Sequence, residues 1–155
     1  MRATVPGYVV DDDPARVDAD AAWAFLSTEA YWGRWRPREV LDAQIASAWR
    51  LVGAYLPPDD PPDGAGEMVG FARAFSDGAA TAYLADVYVA RGHRGRGLAT
   101  AMLRLMIDDG PGAVFRWMLH TADAHALYGR FGFAAPDASY LERPSAPSRA
   151  PLGPS

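Results

Sequence analysis

The pattern of apolar and polar residues in the first third of the chain predicts one strand followed by two helices. The short apolar run Tyr8 to Val10 ends at a cluster of aspartates and a proline, which is typical of an edge-like strand. Asp18 or Asp20 is placed to cap a first helix, and Pro37 suits the first turn of a second. The aromatic and basic segment 27–36 lies between these two helices.

The middle of the chain predicts three strands. Residues 50–56 form one apolar run, and residues 57–66, which read PPDDPPDGAG, are expected to be an exposed loop. Two further runs, 68–75 and 79–89, flank Ser76-Asp77-Gly78 and predict an antiparallel pair joined by a tight turn.

The last third predicts a helix, a strand, a short helix and a final strand. Leu98, Met102, Leu105 and Met106 share one helical face, and residues 109–112, which read DGPG, end that helix. A strand at 114–119, a helix at 123–130 and a last strand near 139–142 are expected after it.

This order of elements predicts an α/β fold with a mixed, mostly antiparallel sheet of six to seven strands flanked by about four helices. The strand–helix–strand unit from Ala79 to Leu119 predicts a parallel crossover within that sheet. A chain of 155 residues favours one domain, which we place at 1–143. The segment 144–155 is rich in proline, serine and alanine and is expected to be a disordered tail.

Composition excludes several classes of chemistry. All 15 of the lysine-or-arginine residues are arginines, and the chain has no cysteine. A lysine Schiff base, a Walker loop, a thiolate metal site and a cysteine nucleophile are therefore excluded, and we assign no metal. The net charge of −4 argues against nucleic-acid or anionic-membrane partners. The chain has no signal-peptide pattern and no apolar stretch of about 20 residues, so we expect a soluble cytoplasmic protein.

The segment Arg91 to Thr100 has the composition of an anion-binding turn. It places three arginines and three glycines between a strand and a helix, where backbone amides and the helix dipole favour negative charge. The alternative to an anion-binding site is a basic turn that serves only as a solvated surface. A dinucleotide-binding turn fits poorly, because Thr100 stands where the third glycine is needed. A third interpretation is a coenzyme A pyrophosphate loop, which is implied by the family resemblance of the surrounding residues.

Residues 85–103 resemble the strand, loop and helix of the GCN5-related N-acetyltransferase (GNAT) superfamily. Arg94, Gly97 and Ala99 fill the fixed positions of its motif Arg/Gln-x-x-Gly-x-Gly/Ala. Residues 121–133 are similar to its later block, in which a helix ends in Leu-Tyr-x-x-x-Gly-Phe. The resemblance implies the acyl-CoA N-acyltransferase fold and transfer of an acetyl group from acetyl-CoA.

The resemblance also implies which residues hold the cofactor. Asp123 stands where many members have asparagine, so its contact departs from the family pattern. The implied cofactor-binding residues are Val87, Val89, Arg94, Gly95, Arg96, Gly97, Leu98, Ala99, Thr100 and Asp123.

Tyr128 matches the family position of the general acid, and a phenol holds its proton at neutral pH. The alternative is a tyrosine that only packs the helix on the sheet. The general base is expected to be Asp86, a carboxylate within an apolar strand, unless that residue only caps a loop. His120 is the rival base, Glu29 is a third candidate, and His125 is expected to be a surface residue.

The segment between the first two helices is expected to bind the acceptor, since the family covers the substrate with it. Its candidate residues are Glu29, Tyr31, Trp32 and Arg36. We expect a small amine, an amino acid or an aminated metabolite as acceptor. A protein acetyltransferase and a non-catalytic acyl-CoA-binding module remain alternatives. The oligomeric state is open between a monomer and a homodimer.

Overall fold

The computed structural model describes residues 1–31, 34, 36–57 and 66–144. Most of the predicted loop 57–66 and all but the first residue of the predicted tail lie outside these ranges. The strands are β1 (Arg2–Val5), β2 (Tyr8–Asp11), β3 (Arg50–Tyr55), β4 (Met68–Ser76), β5 (Thr81–Val89) and β6 (Arg116–Leu119). The α-helices are α1 (Ala19–Thr28), α2 (Arg38–Ala46), α3 (Leu98–Met106) and α4 (His125–Gly129). No helix within the described ranges is long and apolar enough to cross a membrane.

The strands form one six-stranded sheet in the order in which they occur along the chain. The pairs from β1–β2 to β4–β5 are antiparallel, whereas β5 and β6 are parallel and are connected through α3. The predicted α/β class and mixed, mostly antiparallel sheet are therefore confirmed.

Both faces of the sheet are covered by helices, so the inner strands alternate between two apolar clusters. On β3, Val52 belongs to the cluster that includes α3, and Leu51 belongs to the cluster that includes α1 and α2. The predicted apolar face of α3 is buried in the first of these clusters. Gly70 lets α3 approach closely, because a Cβ there would lie 3.1 Å from Cε of Met102.

The amino-terminal strand β1 is absent from the sequence prediction. It pairs with β2 through the turn Pro6-Gly7, in which Gly7 has a φ of +79°. The run Tyr8 to Val10 therefore lies inside the sheet, between β1 and β3, and its assignment as an edge strand is wrong. The Pro-Gly pair was the overlooked signal, since it favours a tight turn between short strands.

The last predicted strand is also wrong, because the described residues 130–144 contain no strand. Asp137 instead forms a local turn: its side chain accepts hydrogen bonds from the backbone N–H and the hydroxyl of Ser139. Tyr140 and Leu141 are exposed, so the apolar residues that suggested a strand have no sheet face to cover. The short helix α4 begins at His125, two residues after Asp123.

Candidate active site

The parallel strands β5 and β6 separate part-way along their length. Their pairing ends at Leu84 and Leu119, and β5 continues to Val89. The β4–β5 register shifts where Arg73 pairs with Asp86 and Ala74 with Leu84, which makes Ala85 the extra residue of a bulge. The backbone of β5 beyond Leu84 therefore forms one wall of an opening in the sheet.

A cleft of about 580 Å³ occupies this opening. Its described walls come from the second half of β4, the middle of β5, the segment after β6, α4 and the segment between α1 and α2. These residues are Tyr31, Arg36, Arg73, Phe75, Tyr83, Leu84, Ala85, Val87, His120, Thr121, Ala122, Asp123, Ala124 and Tyr128. The cleft thus brings together the predicted acid, one predicted base and two predicted acceptor residues.

The glycine-rich loop after β5 has the backbone expected of an anion-binding turn. Gly95 and Gly97 have φ values of +74° and +82°, and a Cβ at either position would meet nothing within 4 Å. Gly97 is the N-cap of α3, and no side chain caps that end of the helix. The first-turn amides of α3, from Leu98 to Thr100, point towards the loop because the first amides of a helix lack intrahelical acceptors. The side chain of Leu98 is buried in the core, so it is not part of the loop surface.

The arginines of the loop are arranged at its surface. Nε of Arg94 donates a hydrogen bond of 2.9 Å to the carbonyl of Val89, which fixes the loop to the end of β5. The guanidinium of Arg96 lies 6.0 Å from the ring centre of Tyr8. Glu29 lies 3.8 Å from Arg94 and 3.9 Å from Arg91. Glu29 therefore lies beside the basic loop, and it is not among the described residues of the cleft wall.

Tyr128 lies on α4 with its ring edge against Phe133, at a centroid separation of 5.9 Å. Burial, with smaller contributions from Tyr31 and Asp123, raises the pKa of Tyr128 to about 12. The phenol is therefore protonated at neutral pH and lines the cleft. Asp123 is exposed on the same wall, which places a carboxylate near the phenol.

Asp86 is buried beneath two arginines. Its Oδ2 and Oδ1 accept hydrogen bonds of 3.0 and 3.1 Å from Nη1 and Nη2 of Arg36, and Nε of Arg73 donates to Oδ2 at 2.9 Å. Burial by itself would raise the pKa of Asp86, but hydrogen bonds and charges from both arginines outweigh it and lower the pKa below its usual value. A carboxylate in this environment is a weak proton acceptor.

His120 follows β6 and links two residues that the sequence analysis did not identify. Its Nδ1 is hydrogen-bonded to the hydroxyl of Tyr83, and its Nε2 to the carboxylate of Glu142. Burial raises the pKa of Tyr83, so its hydroxyl keeps its proton. Tyr83, His120 and Glu142 form a hydrogen-bonded chain that begins on the cleft wall. Sequence reasoning missed Tyr83 and Glu142 because they lie 37 and 22 residues from His120.

The predicted acceptor residues are only partly described. The hydroxyl of Tyr31 accepts a hydrogen bond of 3.1 Å from the backbone N–H of Ala122, which joins the segment after α1 to the wall after β6. Trp32 lies outside the described residues. Arg36 lies on the cleft wall and is held there by Asp86.

Residues 19–133 match the model of the acetyltransferase (GNAT) family. This match covers the glycine-rich loop, the separated strands and Tyr128. The chain belongs to the GNAT family. It is an N-acetyltransferase.

Relatives of this GNAT protein agree with the assignment. A Gibberella zeae protein named "Putative acetyltransferase" is 31% identical over 136 residues, which are 79% of this chain and 76% of the relative. The crystal structure of a "putative acetyltransferase" of the GNAT family from Xanthomonas campestris is 32% identical, with a TM-score of 0.77 over 92% of this chain and 96% of that one.

A ribosomal-protein-alanine N-acetyltransferase from Brucella melitensis has the same fold. Its TM-score is 0.64 at 22% identity, over 88% of this chain and 99% of that one. At this level of identity the likeness concerns the fold and does not extend to the acceptor.

Proposed function

We propose that this GNAT protein acetylates a small amine with acetyl-CoA by direct transfer, with Tyr128 as the general acid. The observation that carries the proposal is the cleft where β5 and β6 separate, because Tyr128 and the β5 strand line it together. The candidate anion-binding loop begins two residues after the end of β5.

The glycine-rich loop fits the pyrophosphate of coenzyme A. Its positive-φ glycines leave the loop surface open, and the uncapped end of α3 supplies amides and a favourable dipole. Arg94 and Arg96 add positive charge at the surface of this loop, where they can pair with phosphate oxygens. The β5 backbone beyond Leu84 offers hydrogen-bonding groups to an extended chain, as a sheet edge does.

When bound, acetyl-CoA supplies the thioester whose carbonyl carbon forms a C–N bond with the amine as its C–S bond breaks. Tyr128 Oη holds the proton that the departing sulfur requires, and its raised pKa keeps that proton in place at neutral pH. We place Asp123 in an orienting role beside this phenol. Val87 lines the same wall and adds an apolar side chain to it.

The proton released by the amine passes, in this proposal, to His120. The carboxylate of Glu142 can only accept a hydrogen bond, so neutral His120 carries its proton on Nε2 and Nδ1 is the acceptor for the hydroxyl of Tyr83. Tyr83 Oη, which lies on the cleft wall, can then receive a proton from the amine while passing its own to the imidazole. Glu142 at Nε2 stabilises the positive charge that then forms on the ring. In this proposal Asp86 holds Arg36 and Arg73 in place through its hydrogen bonds to both of them.

The size of the cleft favours a small acceptor. Its volume of about 580 Å³ has to accommodate the acetyl group and the acceptor together, and Tyr31, which is hydrogen-bonded to Ala122, forms part of its wall. A protein substrate would require an open groove along the cleft.

The decisive experiment combines cofactor binding with an acceptor panel. Thermal shift and calorimetry with acetyl-CoA measure binding, and thiol release measures turnover on small amines, amino acids and peptides. We expect acetyl-CoA to bind and small amines to be acetylated. Turnover restricted to peptides or folded proteins would overturn the small-amine assignment, and acetyl-CoA binding without turnover on any acceptor would indicate a binding module.

A further inference from the structure

The sheet face that carries α1 and α2 holds an aromatic side chain that these helices do not bury. Phe71, Arg73 and Phe75 lie on this face, because side chains alternate along β4. Phe71 is packed in the apolar cluster that includes α1 and α2, and Arg73 is bound to Asp86. Phe75 is not among the described residues of either apolar cluster and is 51% exposed. The described helices therefore leave the carboxyl end of β4 uncovered.

Phe75 forms a stacked pair with Tyr83. The two residues lie opposite each other in the β4–β5 register, and their rings are 5.0 Å apart with an angle of 18° between their planes. The ring of His120 lies 5.8 Å from that of Tyr83, and all three residues line the cleft. The exposed surface of Phe75 is therefore continuous with the side chains that receive the proton of the acceptor amine in the proposed mechanism.

The position of Phe75 distinguishes it from other exposed apolar residues. Such residues are common on protein surfaces, and Val114 and Leu141 are more exposed than Phe75. Neither of those two is among the described residues of the cleft wall, whereas Phe75 is. Covering apolar surface with a ligand is favourable, and a ring gains a further contribution when another aromatic ring stacks on it. This part of the cleft wall therefore fits a flat apolar group.

We propose that the acceptor of this enzyme is an amine joined by a short linker to an aromatic ring, and that Phe75 binds this ring. Phe75 is then a specificity-determining residue, and the acceptor class is arylalkyl amines. The inference rests on the proposed function, because the amine of the same molecule must reach Tyr83.

The test compares amines that share one linker and differ in the group at its end. Phenylethylamine, cyclohexylethylamine and ethylamine are assayed by thiol release, and kcat/KM is measured for each. We expect the phenyl compound to exceed ethylamine by about 10² or more, because the ring leaves water. It should exceed the cyclohexyl compound by about threefold or more, because only a planar aromatic ring stacks on Phe75.

The same panel separates failure of this inference from failure of the proposed function. A phenyl compound no better than the cyclohexyl compound would overturn the aromatic subsite and leave the small-amine function standing. Turnover on peptides or proteins alone would overturn the proposed function itself.

Variants assign the preference to Phe75. Phe75→Ala should bring the phenyl-to-cyclohexyl ratio to about one, and Phe75→Tyr should keep it because the ring is preserved. Phe115→Ala is the matched control, since Phe115 is a partly exposed ring that stacks on Trp49 at 5.7 Å and is not among the described cleft residues. The ratio does not depend on the fraction of folded enzyme. A wild-type ratio in Phe75→Ala would overturn the role of Phe75.

Inhibition provides a readout that does not depend on transfer to an amine. Phenylethanol, which carries a hydroxyl in place of the amine, should compete with the acceptor more strongly than cyclohexylethanol does. This difference should disappear in Phe75→Ala. Equal inhibition of wild type by the two alcohols would contradict the proposal.

A second copy of the chain is the other occupant that an exposed ring could have. Sedimentation of wild type and Phe75→Ala measures this alternative, and we expect the same oligomeric state in both. A wild-type dimer that dissociates in Phe75→Ala would assign the ring to an interface between copies and overturn its role in binding the acceptor.

Discussion

Arg36 and Asp86, fifty residues apart in the chain, form a two-point ion pair with N–O distances of 3.0 and 3.1 Å in the interior of the protein. The pair joins the segment before α2 to the middle of β5. Because Arg73 of β4 binds the same carboxylate, one aspartate fixes three elements around the acceptor side of the cleft.

Removal of this carboxylate should destabilise the fold. In Asp86→Asn two buried guanidiniums lose their negative partner, and we expect the free energy of unfolding in urea to fall by about 3 kcal/mol. Asp42→Asn, which changes an exposed partner of Arg38, should leave that free energy nearly unchanged. A wild-type urea midpoint for Asp86→Asn would show that the pair contributes little.

The same pair predicts the sign of an acid dependence. The pKa of Asp86 is lowered in the folded state, so its contribution to stability is present above the usual carboxyl pKa and is lost as pH falls through the folded value. Between about pH 5 and about pH 3, wild type should therefore lose more stability than Asp86→Asn. An equal loss of stability in wild type and in Asp86→Asn over this pH range would contradict the predicted dependence.

Tyr128→Phe tests the general acid. The substitution keeps the ring contact with Phe133 but removes the proton, so kcat should fall by about 10² or more with little change in acetyl-CoA affinity. Tyr88→Phe is the matched control, since Tyr88 is a buried tyrosine stacked on Phe25 and is not among the described cleft residues. Wild-type kcat in Tyr128→Phe would leave Tyr128 a packing residue.

The raised pKa of Tyr128 predicts how kcat behaves in alkali. With a pKa of about 12, the phenol remains almost fully protonated at about pH 10, where an ordinary tyrosine would be about half ionised. Since the acid form is the active one, kcat should show no decline from this group between about pH 8 and about pH 10. A midpoint near pH 10 that disappears in Tyr128→Phe would contradict the burial argument.

The hydrogen-bonded chain through His120 predicts which variants lose turnover. His120→Gln should lower kcat/KM by about 10², because the proton acceptor is lost. Glu142→Gln should lower kcat/KM by a smaller factor, since Glu142 acts by positioning the imidazole. His125→Gln, on the exposed surface of α4, should keep the wild-type kcat/KM. Wild-type kcat/KM in His120→Gln would show that another group or water accepts the proton.

The glycine-rich loop predicts loss of cofactor binding in Gly97→Val. A branched side chain at a φ of +82° strains the N-cap of α3 and covers the amides that face the loop, so the Kd for acetyl-CoA should rise by about tenfold or more. Gly92→Ala is the control within the same loop, because its φ is not positive and a Cβ there meets nothing. Calorimetry measures the Kd for acetyl-CoA in both variants. Wild-type affinity in folded Gly97→Val would show that the cofactor binds elsewhere.

The sequence by itself determined the elements whose signals are local. The apolar face of α3, the hairpin around Gly78 and the glycine-rich turn follow from helical spacing, a positive-φ turn and the chemistry of a helix start, and each is set by residues close together in the chain. The family motif also identified Tyr128 as the candidate general acid. The prediction that Tyr8 to Val10 forms an edge strand was wrong because β1 pairs with this strand through the Pro6-Gly7 turn. The signal for that turn is also local in the sequence.

Only the tertiary structure decided what each polar side chain faces. Asp86 alternates with apolar neighbours in β5, and its sequence context is the same whether it meets an ammonium or two arginines; Arg36 and Arg73 reach it from other elements. Tyr83 and Glu142 join His120 because β5 and β6 are neighbours in the sheet and the chain after α4 returns to them. The sign of a pKa shift and the charge of a cleft wall depend on such distant partners, because electrostatic energy follows distance in space and burial, and sequence separation does not enter it.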